Sequence, residues 1–177
     1  MSDLSPQGMA ERESRNLLTI WVALVFSIGV YVLLGSIFAG AGEPVSVSRA
    51  TVELGSIHLA LSTVRWGVIV GSLGLLFAAG WVSHHFLIEH RILAHSEGRT
   101  PEERLRSGFA YLKFYTLLSW GLAESVILVG TLWAIVSGQQ LAVFPFAIAG
   151  GTALFILKPE QPSLLQLGDR MSKAPRA

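Results

Sequence analysis

One side chain in this sequence lies where its chemistry is costly. Glu124 is the eleventh of the 23 residues of the apolar run Phe114 to Val136, and a carboxyl group at the midplane of a bilayer costs about 2.5 to 3.5 kcal/mol on insertion scales. Such a group must face the protein interior or be neutral, and one that passes between neutral and charged forms takes up and releases protons. Glu124 is therefore the candidate proton- or cation-binding residue. The competing reading is a protonated Glu124 bonded to Ser119, Ser125 or a neighbouring helix, serving only as interhelical glue. Arg65 is the candidate charged partner. With a helix that enters the membrane at Ile57 it lies about 12 Å inside and approaches the level of Glu124. With entry at Trp66 it sits at the outer interface, snorkelling beside an aromatic anchor.

The remaining chemistry-bearing residues point elsewhere. His58 falls near one end, and His84, His85, His90 and His95 near the other end, of a single apolar segment. A bis-histidine haem needs ligands on two helices and would have to form between subunits, so no cofactor is expected. His85 and Glu89 at i, i+4 have the spacing of a weak metal pair, but an interfacial polar collar is the plainer reading and no metal site is assigned. The chain has no cysteine, which excludes disulfides, thiolate metal sites and cysteine nucleophiles together. Phosphate-loop, dinucleotide-loop and His-Glu-x-x-His patterns are absent, and no nucleophile, base and orienting group cluster at one depth, so no enzyme activity is expected. A net charge of +1 without a dense basic patch argues against nucleic acid.

The elements that position Glu124 follow from how the apolar residues are gathered. Of 177 residues, 51% are hydrophobic and 14% charged, with mean hydropathy +0.55, against about 25% charged in an ordinary soluble domain. Four runs stand out: Leu17 to Ala39, Trp66 to Phe86, Phe114 to Val136 and Leu141 to Leu157. A spanning helix needs about 17 to 25 apolar residues, so three runs qualify and the fourth sits at the lower bound. This pattern excludes a soluble enzyme, a disordered chain and a secreted disulfide scaffold. The fourth run carries Pro145 and Gly150-Gly151, which leaves a re-entrant or kinked segment open. Ala39-Gly40-Ala41 resembles a signal cleavage site, but the run before it exceeds the 7 to 15 residues of a signal core, so an uncleaved helix is expected.

Four spans put the N-terminal segment, the central loop and the C-terminal tail on one side, and 11 of the 13 cations fall on that side or at the span ends that face it. The positive-inside rule makes that side the cytoplasm and the membrane the cell (inner) membrane. The expected fold is an all-α, integral-membrane four-helix bundle over 17–158, with spans 17–39, 57–86, 111–137 and 141–157. A long cytoplasmic helical hairpin, 87–110, joins the second and third spans. Its turn reads Ser96-Glu97-Gly98-Arg99, and Thr100-Pro101-Glu102-Glu103 is a capping box that starts the third helix near Pro101. Gly138-Gln139-Gln140 forces a tight return, which makes the last two spans antiparallel neighbours. Gly67, Gly71, Gly74 and Ala78 line one face of the second helix. Such a stripe admits a neighbouring backbone, and packing inside the bundle or self-association both use it.

The segment Gly121-Leu122-Ala123-Glu124-Ser125, followed by Val126-Ile127-Leu128-Val129-Gly130, resembles the carboxylate-bearing helix of the c subunit, the proteolipid of rotary ATP synthases. The resemblance covers residues 57–138 and includes the preceding glycine stripe and the turn with Arg99-Thr100-Pro101. It implies that Glu124 carries the ion and that Arg99 and Pro101 are polar-loop residues. The chain departs from the family in its thinner glycine repeat, its longer stretch from loop to carboxylate and its two flanking helices. Two functions are expected of a small membrane subunit built this way: binding or relaying protons or cations at Glu124 within a larger complex, or a structural accessory or assembly role without ion handling. The expected partners are the lipid bilayer and other membrane subunits or further copies of the chain.

Overall fold

The structure, a computed structural model, describes residues 6–40, 51–54, 57–95, 100–158 and 161–173. The expected turn Ser96 to Arg99, most of the loop before the second span, and Ala41 lie outside the described residues. The described residues are helical but for one short hairpin and the turns between helices. α1 is Pro6–Gly40, and β1 (Thr51–Leu54) pairs antiparallel with β2 (Ile57–Ala60), Val52 opposite Leu59 and Glu53 opposite His58. α2 (Leu61–Phe86), α3 (Glu89–Ala94) and α4 (Pro101–Ser137) follow, then a 3-10 turn at Gln140–Ala142, α5 (Val143–Ile156) and α6 (Gln161–Lys173). α1, α2 and α4 are long and apolar enough to cross a membrane. Large side chains such as Phe26 and Phe77 stand on their surfaces, 76% and 75% exposed, as lipid-facing residues must.

Several boundaries differ from the expectation, each for a physical reason. The second span does not begin as helix at Ile57, because Ile57–Ala60 pairs as a strand and α2 starts at Leu61. Its helix does not run on into the hairpin either. The backbone is extended at Ile88 (φ −73°, ψ 134°), and α3 starts afresh with Glu89 in its first turn, where an acid complements the helix dipole. The new direction buries Ile92 and brings Glu89 into an ion pair with Arg170 of α6. The residues expected to form a tail thus hold a sixth helix. α5 has 14 residues, a rise of about 21 Å against a hydrocarbon core of about 30 Å. Its Pro145 and Gly150-Gly151 leave it unbroken: the proline lies in the first turn, where its missing N–H is harmless.

α4, the helix of the expected third span, starts at Pro101 on the expected cap. The Glu103 amide donates to Thr100 Oγ1 and the Thr100 amide donates to Glu103 Oε2, both at 3.1 Å. Thr100→Ala removes the first of these bonds. We expect a loss of about 1 kcal/mol, seen as faster amide exchange over 102–104 with the rest of α4 unchanged.

The chain divides into two compact units, and α1, α2 and α4 contribute to both. One comprises Met1–Ala23, Ala79–Trp120 and Leu157–Ala177. Its core holds Leu17, Leu105, Phe109, Trp120 and Met171. α6 lies so close to α1 and α4 that a methyl group at Gly168 would stand 2.7 Å from Ala10 and 3.6 Å from Phe109. Lys113 pairs with Glu13 at 3.1 Å, and Trp120 Nε1 donates to Leu157 O at 3.0 Å.

The other unit comprises Leu24–Ala78 and Gly121–Ile156. Here α4 and α5 run antiparallel after the turn at Gly138, whose φ of 65° suits a residue without a side chain. Gly130 of α4 faces Phe146, and Gly150 of α5 faces Ala123 and Ile127. α1 joins this seam through Ala39 and Val32, packed with Ala134 and Val143.

Candidate functional site

Glu124 lies on α4 in this second unit, half-buried, and α1 supplies its partners. Ser27 and Tyr31 are one helical turn apart, so both hydroxyls leave the same face of α1. The two meet one carboxylate oxygen: Ser27 Oγ is 2.8 Å and the Tyr31 hydroxyl 3.1 Å from Glu124 Oε1. The register is held nearby by Thr131 of α4, whose Oγ1 donates to Ile127 O at 2.9 Å and reaches Tyr31 O at 3.4 Å. The other oxygen, Oε2, has no hydrogen bond among the described residues and is not among the sealed polar atoms. The carboxyl is thus anchored through one oxygen.

Counting hydrogens shows what the cluster can do. Ser27 has one hydroxyl hydrogen and two acceptors in reach, Glu124 Oε1 at 2.8 Å and Leu24 O at 2.6 Å. If Glu124 is charged, Ser27 and Tyr31 both donate to it. If Glu124 carries a proton, it can donate to Ser27 Oγ while Ser27 donates to Leu24 O. Either protonation state is satisfied with the heavy atoms in place. The three oxygens gathered here also fall short of the six or more that a hard divalent cation collects.

The expected partners of Glu124 are placed differently. Ser125 Oγ donates to Gly121 O at 2.7 Å, the usual back-bond of a helical serine. Ser119 Oγ is buried without a hydrogen-bond partner among the described residues. Arg65 is exposed in the second turn of α2 and forms no ion pair with Glu124. With helix beginning at Leu61, the placement that starts it at Ile57 does not arise. Gly67, Gly71 and Gly74 are exposed and Ala78 half-buried, so among the described residues no neighbouring helix covers the stripe.

Sequence reading missed Ser27 and Tyr31, although a signal existed. Ser27 is the eleventh residue of the run Leu17 to Ala39, as Glu124 is of Phe114 to Val136. Two spans that enter from the same side bring equal depths level.

The histidines form no metal cluster among the described residues. His85 stacks on Trp81 with ring centroids 5.0 Å apart, and His95 stacks on Tyr111 at 4.2 Å. His85 and Glu89 do not share a helix, because the chain is extended between α2 and α3. No protein-family model, curated protein or solved structure matches the chain.

Proposed function

We propose that this chain is a small helical membrane subunit in which Glu124 takes up and releases protons. The observation that carries the reading is the shared hydrogen of Ser27, which lets the cluster satisfy both protonation states without moving a heavy atom. A carboxyl serving only as glue needs one stable arrangement. This one has two. The resemblance of residues 57–138 to the c-subunit hairpin implies the same role for Glu124. In this reading α5, together with the 3-10 turn at Gln140–Ala142 that leads into it, completes a fourth crossing, both ends of the chain face the cytoplasm, and the chain works within a larger assembly of the inner membrane.

The test is carbodiimide modification, which requires a protonated carboxyl in an apolar setting. In native membranes at neutral pH we expect one labelled residue, Glu124, with labelling falling as pH rises. Absence of label at Glu124, or labelling that does not change with pH, would overturn the proposal.

A further inference from the structure

The residues that follow α5 are placed by two tryptophans. Trp120 Nε1 donates to Leu157 O at 3.0 Å, and Lys158 Nζ stands 5.2 Å from the centroid of the Trp21 ring. Trp21 is four residues past Leu17, where the first apolar run begins, and Trp120 is six residues past Phe114, where the third begins. Along a helix these separations are about 6 and 9 Å. Lys158 therefore leaves the backbone at a level where α1 and α4 are already apolar. It is exposed, and among the described residues no carboxylate pairs with it.

An exposed ammonium below the headgroup level is costly unless it extends to the interface or draws headgroups and water down to itself. Free extension is opposed by Trp21. That ring is 8% exposed, so it is a fixed platform, and a cation over an indole face is attracted by the ring quadrupole. The face satisfies one side of the ammonium only. Lysine has three N–H donors, and those turned away from the ring still need acceptors. Ile156, two residues earlier, is 78% exposed, as a lipid-facing side chain is. In a bilayer the acceptor at hand is a lipid phosphate, and an anionic lipid supplies the counter-charge as well. We propose that Lys158, held over Trp21 and anchored through Leu157 to Trp120, binds the phosphate of one anionic phospholipid, drawn deeper than its neighbours. The site uses neither Glu124 nor proton uptake, so Glu124→Gln binds the lipid as the parent does.

The probe is phosphatidylglycerol, added to the purified, lipid-stripped protein in mild detergent and followed by native mass spectrometry beside phosphatidylcholine, whose net charge is zero. We expect one tightly held phosphatidylglycerol, bound several-fold better than phosphatidylcholine. Lys158→Gln should lower its binding several-fold and erase the preference, whereas Lys158→Arg should keep both. Trp21→Leu should weaken binding, and Trp21→Phe, which keeps a ring, should weaken it less. Arg12→Gln removes an exposed cation from the helical stretch before Leu17 and should change nothing. If Lys158→Gln does not accumulate, Lys158→Met, an apolar side chain of similar length, gives the same reading. Undiminished phosphatidylglycerol in the variant without the ammonium, equal binding of the two lipids by the parent, or displacement of the lipid by millimolar inorganic phosphate would each overturn the site, the last by showing that Lys158 takes a free anion instead.

Discussion

Gly150→Leu is expected to unseat α5 from α4 and to cost more than about 3 kcal/mol of stability, beyond the ordinary range for overpacking. A Cβ at Gly150 would stand 2.5 Å from Ile127 Cγ1 and 2.7 Å from the backbone oxygen of Ala123. The isoleucine can turn aside, but the carbonyl belongs to the interior of a 37-residue helix and cannot. The rest of the leucine side chain enlarges a clash that the first carbon already creates. Gly29→Ala supplies the contrast, since a Cβ there meets nothing within 4 Å. It should leave stability equal or raise it by up to about 1 kcal/mol, because alanine restricts the unfolded chain. Unfolding both variants by titrating a mild detergent with a denaturing one checks the pair. Equal midpoints for Gly150→Leu and the parent would mean that the two helices do not meet at this seam.

What could be read in advance divides along physical lines. The apolar runs of α1, α2 and α4 and the cap at Thr100 are local patterns, and the structure has helices where they stand. Gly55-Ser56 between two short runs is an equally local hairpin signal, overlooked beside the stronger helical one. The break at Ile88 carries no such mark. No glycine or proline stands there, and the new helix is held by Ile92 and by the pairing of Glu89 with Arg170, 81 positions away. α6 escaped notice because its buried positions, Leu164, Gly168 and Met171, sit among polar residues in a segment too short for a span. The site was half legible. A lone acid in an apolar run announces itself, whereas its serine and tyrosine partners are ordinary in a membrane helix until the register of two distant helices is known.

Glu124→Gln is expected to abolish proton exchange while costing less than about 1 kcal/mol of stability, because an amide oxygen still accepts from Ser27 and Tyr31 but takes up no proton. The hydroxyl variants should fall between this and the parent, in a definite order. Tyr31→Phe and Ser27→Ala each remove a donor that supports the charged carboxylate. A hydrogen bond to a charged group contributes more than the same bond to a neutral one, so losing either donor costs the charged carboxylate more than the protonated acid. The sign follows directly: with a donor lost the neutral form persists, so carbodiimide labelling of Glu124 extends to higher pH. Tyr31→Phe should move the profile further than Ser27→Ala. Ser27 must withdraw its hydrogen from Leu24 O to serve the carboxylate, whereas no backbone acceptor competes for the tyrosine hydroxyl among the described residues. Labelling measured across pH in the two variants and in their double checks the order, and profiles that superimpose on the parent's would show that neither hydroxyl supports the charge on Glu124.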